Sequence, residues 1–62
     1  TARSGDIVMA LIDNEEATIK RYRPHRDSIE LIPANPKLSA VTYAPERVQV
    51  QGIVVAKVGF FK

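Results

Sequence analysis

A single lysine, Lys20, lies inside a strand-like, largely apolar stretch, and no other residue of the chain has clearer potential for chemistry. The stretch runs from Ser4 to Ile12, turns, and resumes from Ala17 to Tyr22. A lysine in a strand is usually a solvated edge residue, but a desolvated lysine loses its proton readily and can act as a general base. The period of two in a strand assigns alternate residues to opposite faces. One face of this strand carries Thr18, Lys20 and Tyr22, and the other carries Ala17, Ile19 and Arg21.

The elements that would position Lys20 are predicted to be strands and turns only. β-Branched and apolar residues from Asp6 to Ile12, turn-forming residues from Asp13 to Glu16, and alternation from Ala17 to Arg23 predict a β-hairpin that Pro24 ends. The pattern alone leaves open which face of the second strand is buried. If the Lys20 face is covered, desolvation favours the neutral amine that a base requires. If that face is open, the lysine stays charged and inert.

The second half of the chain predicts three more strands. One spans Ser28 to Ile32 and is closed by prolines, because proline removes a ladder donor. A short one spans Val41 to Tyr43. The last begins at Val48 and passes from alternation to a continuously apolar run that reaches Ala56, which predicts a doubly covered strand with a bulge at Gly52. The expected fold class is therefore all-β and mostly antiparallel, and the apolar tail, residues 58–61, is expected to be held down or to form a contact surface.

Length and composition predict a piece of a larger protein. In a chain of 62 residues, the free energy gained by burying apolar surface roughly balances the conformational entropy lost on folding, unless a disulfide, a metal or a partner adds stability. The chain has no cysteine, and its one histidine, His25, stands between Pro24 and Arg26 without a metal-ligand pattern. We therefore expect no metal and no cofactor, and we expect residues 1–62 to be the C-terminal part of a longer chain. No apolar run reaches the length of a membrane span, so a soluble, cytoplasmic protein without a membrane partner is expected.

The charge distribution is compatible with two kinds of surface, one that binds nucleic acid and one that is simply solvated. The net charge is +2, below what a dedicated nucleic-acid surface usually carries. A basic run with interleaved rings could contact phosphates and stack on bases, as in a small β-barrel binding module. A solvated strand end followed by a turn explains the same residues more simply. The run comprises Lys20, Arg21, Tyr22, Arg23, His25 and Arg26.

Four short segments, in this order and spacing, resemble the LexA family of self-cleaving repressors. They are Gly5-Asp6-Ile7-Val8, Thr18-Ile19-Lys20-Arg21, Ile29 to Asn35, and Gln51-Gly52-Ile53-Val54. The resemblance spans about residues 4–58 and implies the C-terminal part of a peptidase domain of mostly antiparallel strands. In that family a serine and a lysine form a catalytic dyad, and Lys20 matches the lysine.

The resemblance also implies that the nucleophilic serine lies upstream of Thr1 and is absent from this chain. Ser4, Ser28 and Ser39 stand in different contexts and do not replace it. The 62 residues alone are therefore expected to have no peptidase activity. The scissile bond and the DNA-binding domain also lie upstream in this family.

The resemblance further implies a role and a set of partners. LexA-like proteins repress DNA-damage genes until cleavage, stimulated by RecA filaments on single-stranded DNA, separates the operator-binding domain from the dimerising domain. The C-terminal strands form the homodimer interface in this family, here about residues 48–58. A UmuD-like self-cleaving protein of translesion synthesis fits the same segments. A bacterial signal peptidase fits less well, because Tyr22-Arg23-Pro24 follows the lysine-arginine pair where those enzymes carry a glycine-rich segment.

Overall fold

The computed structural model describes residues 2–55, which form one antiparallel sheet of five strands. The spatial order of the strands is β4-β3-β2-β1-β5, so β1 and β2 lie inside the sheet and β4 and β5 form its edges. The predicted all-β, antiparallel class is confirmed. The strands are β1 (Ile7–Ile12), β2 (Glu16–Pro24), β3 (Ile29–Ile32), β4 (Val41–Tyr43) and β5 (Val48–Val54). A single 3₁₀ turn, Pro45–Arg47, leads into β5.

The turn between β1 and β2 is made by two residues with positive φ. Asp13 has φ 52° and Asn14 has φ 59°, and the amide of Glu15 donates to the carbonyl of Ile12 at 3.0 Å. Two central residues in the left-handed region define a turn whose twist matches that of a hairpin, and Asp and Asn tolerate this region best. The hairpin predicted from the turn-forming residues Asp13 to Glu16 and the strand patterns on either side is therefore confirmed.

One face of the sheet carries the core, and we call it the core face. Its fully buried residues are Val8 and Ala10, with Ile12 at 5% and Leu31 at 2% exposure. Half-buried apolar side chains pack against these core residues. These are Ala2, Tyr22, Ile29, Tyr43, Val48 and Val50.

The bulge predicted at Gly52 is present, but the doubly covered strand is not. Along β5 the register with β1 shifts between Gly52, opposite Met9, and Val50, opposite Ala10, so Gln51 is the extra residue. The following apolar residues are exposed, with Ile53 at 43% and Val55 at 80%. The prediction of continuous burial was wrong because β5 is an edge strand of a single sheet and residues 2–55 place no second layer over it. Ala56 and the apolar tail, residues 58–61, lie outside the described residues.

An ion pair fastens the β1–β2 turn to the 3₁₀ turn that precedes β5. The guanidinium of Arg47 donates two hydrogen bonds to the carboxylate of Asp13, at 2.7 Å from Nε and 2.5 Å from Nη2. The amide of Asp13 donates to the carbonyl of Arg47 at 2.8 Å, and the guanidinium lies 5.2 Å from the ring centre of Tyr43. The hydrogen bond and charge of Arg47 lower the pKa of the Asp13 carboxyl below its ordinary value of 3.8.

We expect this ion pair to stabilise the fold in a pH-dependent way. A carboxyl whose folded-state pKa is lowered contributes stability that is present above its unfolded pKa and lost as the pH falls through the folded value. Asp13→Asn should therefore lower the denaturant midpoint at neutral pH, and the difference from wild type should vanish well below pH 3.8. Denaturant titrations of both proteins at several pH values measure this difference in midpoint. Asp27→Asn, in an exposed turn, is the control variant. A difference that persisted in strong acid would contradict this assignment.

Candidate catalytic-lysine site

Lys20 lies on the core face, which settles the question that the sequence pattern left open. It is opposite Val8 in the register of β1 and β2, and Thr18 is opposite Ala10. Directly paired residues of antiparallel strands project to the same side of a sheet, so Thr18, Lys20 and Tyr22 share the face with the core. The lysine is half-buried there. Its aliphatic stem thus lies against apolar side chains while its amine reaches the margin of the core.

The amine of Lys20 has a specific partner, Thr18, which the sequence reasoning missed. Nζ donates a hydrogen bond to Thr18 Oγ1 at 2.5 Å, along the same face of β2. Because threonine is β-branched, its χ1 rotamers are few, and its hydroxyl is therefore held in place. The signal for this contact was present in the sequence, since a hydroxyl two residues before a lysine on one strand face lies next to it.

A small cavity of about 60 Å³ opens beside this pair. Its walls combine apolar side chains from β1, β3 and β4 with three polar side chains of β2, those of Glu16, Thr18 and Lys20. The lining includes Ile12, Leu31, Val41, Tyr43, Thr18 and Lys20.

None of the three serines of the chain accepts the hydrogen bond described for the lysine, which goes to Thr18. Ser4 lies in the turn before β1, and Ser28 precedes β3. Ser39 lies in the connection before β4 and lines the cavity, but the hydrogen bond described for Lys20 goes to Thr18. Within residues 2–55, no serine–lysine hydrogen bond completes a dyad.

The structure divides the basic run between two faces. Lys20 and Tyr22 lie on the core face, whereas Arg21 and Arg23 project from the opposite one. Arg21 also donates to the carbonyl of Gly5 at 2.6 Å. A continuous basic surface with interleaved rings is therefore not formed, and the solvated strand end explains the run better.

His25 and Glu30 make a local contact across the β2–β3 turn. Nε2 of His25 lies 2.8 Å from Oε1 of Glu30, and the amide of His25 donates to the carbonyl of Ser28 at 2.8 Å. The described part of the chain contains no group of three or more potential metal ligands. Within the same residues, no helix is long and apolar enough to cross a membrane.

Comparison with known proteins places the chain in a peptidase family. The model of the peptidase S24-like family matches residues 1–55, and the chain belongs to that family. Over 55 residues it is also 51% identical to the LexA repressor of Bartonella quintana (strain Toulouse). The similarity covers 89% of this chain and 23% of that repressor, so the chain spans about a quarter of the relative's length. The resemblance inferred from four short segments is therefore confirmed.

Proposed function

We propose that this chain is the C-terminal part of a LexA-like transcriptional repressor of the SOS response, which inactivates itself by cleaving its own chain. The observation that carries the proposal is the half-buried Lys20 on the core face, in a chain of the peptidase S24-like family. The similarity to a protein described as a LexA repressor supports the repressor role. The individual steps of the self-cleavage reaction are those expected of a lysine that acts as a general base.

In this mechanism the neutral amine of Lys20 accepts the proton of an upstream serine hydroxyl. The serine oxygen then attacks the carbonyl carbon of an upstream peptide bond, and backbone amides hold the resulting oxyanion. The protonated lysine returns its proton to the leaving amine as the C–N bond breaks. Water then hydrolyses the acyl-serine ester and frees the new carboxyl terminus. This chain supplies the base and its hydrogen-bonding partner, and the upstream part of the protein supplies the nucleophile and the substrate.

We propose that Thr18 is a positioning residue for this base. Its hydroxyl accepts the hydrogen bond from Nζ and thereby orients the amine, whose lone pair must face the serine hydroxyl. Thr18→Val should slow self-cleavage by about tenfold, as expected for a lost orienting hydrogen bond. Thr18→Ser should restore most of the rate, because it retains the hydroxyl. The self-cleavage rates of the wild type and both variants, measured from intact masses over a series of pH values, test this role of Thr18. Equal rates for the valine and serine variants would contradict the assignment.

We also propose that the protein is a homodimer that pairs through β5. This strand is seven residues long, contains no proline or lysine, and is an edge strand within residues 2–55, with a row of backbone groups that no other described strand pairs. The other edge, β4, has three residues and is followed by Pro45, so it is a poorer template. The remaining partners follow from the proposed role: operator DNA through an upstream domain, and RecA filaments on single-stranded DNA as activator. A cytoplasmic location is proposed on the same basis.

Two alternative functions make different predictions for the full-length protein. A UmuD-like protein of translesion synthesis would share Lys20 and self-cleavage but would have a short upstream tail in place of a DNA-binding domain. A β-barrel binding module would use the basic run, but that run is split between the faces of the sheet. We therefore rank the binding module last.

The proposal is tested by incubating a longer chain, extended through the upstream serine and the preceding linker, at alkaline pH. High pH deprotonates a lysine base without an activator. We expect one upstream bond to be cleaved, as detected by intact mass. The upstream sequence then separates the two self-cleaving candidates, since a DNA-binding domain identifies the repressor and a short tail identifies the UmuD type.

A further inference from the structure

The cavity beside Lys20 has two walls, and backbone pairing joins them only at one end. Within residues 2–55, β4 reaches the sheet only through β3, and β3 pairs with the last four residues of β2, Arg21 to Pro24. The stretch of β2 that carries Thr18 and Lys20 therefore has no described strand beside it on the side that faces β3. Backbone pairing thus fixes the spacing of the two walls weakly. The far wall consists of Leu31, Pro33, Ser39, Val41 and Tyr43.

Arg47 joins the two walls through its side chain. It ends the 3₁₀ turn between β4 and β5, four residues after Tyr43. Its guanidinium lies 5.2 Å from the centre of the Tyr43 ring, a distance at which a cation is attracted to the face of an aromatic ring. The same guanidinium donates two hydrogen bonds to the carboxylate of Asp13, in the turn of the hairpin that carries Lys20. Arg47 therefore connects a side chain of the far wall to the β1–β2 hairpin.

The exposure of these contacts indicates that their main effect is on orientation. The side chains of Arg47 and Asp13 are 49% and 45% exposed, and ion pairs in contact with water usually add only modestly to the stability of a fold. Two parallel hydrogen bonds to one carboxylate nevertheless fix the plane of a guanidinium. Within residues 2–55, the hydroxyl of Tyr43 has no hydrogen-bond partner, so the guanidinium supplies the directional contact of this ring.

We propose that Arg47 is a positioning residue for self-cleavage, because it holds the ring of Tyr43 as a wall of the cavity beside Lys20. This inference rests on the proposed function. A ring that moves away from the cavity admits water, and the amine and the serine hydroxyl then no longer keep one relative geometry. A misplacement of about 1 Å caused by a substitution away from the chemistry can slow a reaction about a hundredfold, so the loss of one holding contact should cost about tenfold.

The test uses the full-length protein and four variants. Arg47→Met removes the guanidinium, and Tyr43→Leu removes the ring but leaves the ion pair with Asp13 in place. Tyr43→Phe keeps the ring and is the conservative variant. Arg26→Met, in the exposed β2–β3 turn, is the matched control for Arg47→Met. Denaturant unfolding is measured for every protein, and cleavage rates are compared at alkaline pH under conditions in which all of them are folded.

We expect Arg47→Met and Tyr43→Leu each to cleave about tenfold more slowly than wild type. The protein with both substitutions should be no slower than either single variant, because each substitution removes the same contact. Tyr43→Phe should recover most of the rate that Tyr43→Leu loses, and Arg26→Met should match wild type. A wild-type rate for Arg47→Met, or losses that multiply when the two substitutions are combined, would overturn the proposal.

A second readout does not depend on cleavage. Acetic anhydride, applied briefly at neutral pH, acylates accessible neutral amines, and peptide masses report the extent of reaction at each lysine. Lys37, in an exposed turn, is the reference within the same molecule. If Arg47 holds the wall, acylation of Lys20 relative to Lys37 should rise several-fold in Arg47→Met and in Tyr43→Leu, because the cavity opens. It should stay at the wild-type level in Arg26→Met.

The two readouts separate this inference from the proposed function. A wild-type protein that stays intact at alkaline pH, with acylation of Lys20 raised in both variants, would refute self-cleavage and leave the role of Arg47 in holding the cavity standing. A wild-type protein that cleaves itself, with neither rate nor acylation changed in the variants, would refute the role of Arg47 alone. A lowered denaturant midpoint with unchanged acylation would also overturn it, because Arg47 would then contribute to stability only.

Discussion

Replacing Lys20 with alanine is expected to lower the rate of self-cleavage by at least about 10³-fold, the effect of removing one member of a catalytic dyad. The amine on the core face is the one base that the mechanism assigns to this chain, and alanine leaves the serine without a proton acceptor. Lys20→Arg should be as inactive, because a guanidinium stays protonated at any pH at which the protein is folded. The rate is read from intact masses of the longer chain at alkaline pH.

The control is Lys37→Ala, which removes a different lysine, in an exposed turn. This turn is held by Asn35 and does not depend on the Lys37 side chain. The carboxamide oxygen of Asn35 accepts a hydrogen bond from the backbone amide of residue 37, not from the lysine side chain. This variant should cleave at the wild-type rate. A Lys20→Ala protein that cleaved at a rate near that of Lys37→Ala would remove Lys20 from the mechanism.

Leu31→Ala is expected to destabilise the domain by about 2 to 5 kcal/mol, the range for truncating a buried leucine. Leu31 is 2% exposed, lies opposite Tyr22 and Val41 in the sheet, and lines the cavity beside Lys20. Truncation removes apolar contacts and enlarges that cavity. Denaturant unfolding of the longer chain measures the change in the free energy of unfolding.

Leu38→Ala is the matched control for this truncation. It makes the same chemical change at a leucine that is 59% exposed, and it should change the free energy of unfolding by no more than about 0.5 kcal/mol. Similar losses for the two variants would show that Leu31 is not part of the core described here.

Local chemistry made most of the fold predictable. The turn-forming residues Asp13 to Glu16 predicted a hairpin, and the structure shows that Asp13 and Asn14 adopt the positive φ that its turn requires. Alternation and prolines located the strands to within a residue or two, and Gly52 marked the bulge. Burial was harder to predict. The apolar run after Gly52 has the composition of a doubly covered strand, but composition does not say whether a second layer lies within the same chain.

The candidate site was predictable only in part. The period of two placed Thr18 and Lys20 on one face, yet the buried face became clear only from the pairing of β2 with β1, which brings Val8 and Ala10 beside them. The ion pair of Asp13 with Arg47 joins residues 34 positions apart and has no local signal. The catalytic role proposed for Lys20 rests on the family resemblance, because one strand lysine without its nucleophile has no distinctive spacing.

The most direct test of self-cleavage is the time course of the wild-type longer chain at alkaline pH, followed by intact mass over a wide range of protein concentrations. We expect cleavage at a single upstream bond, with a first-order rate that does not change on dilution, because the lysine and the serine act on their own chain. A chain that remains intact, or one whose cleavage rate falls in proportion to its concentration, would contradict it.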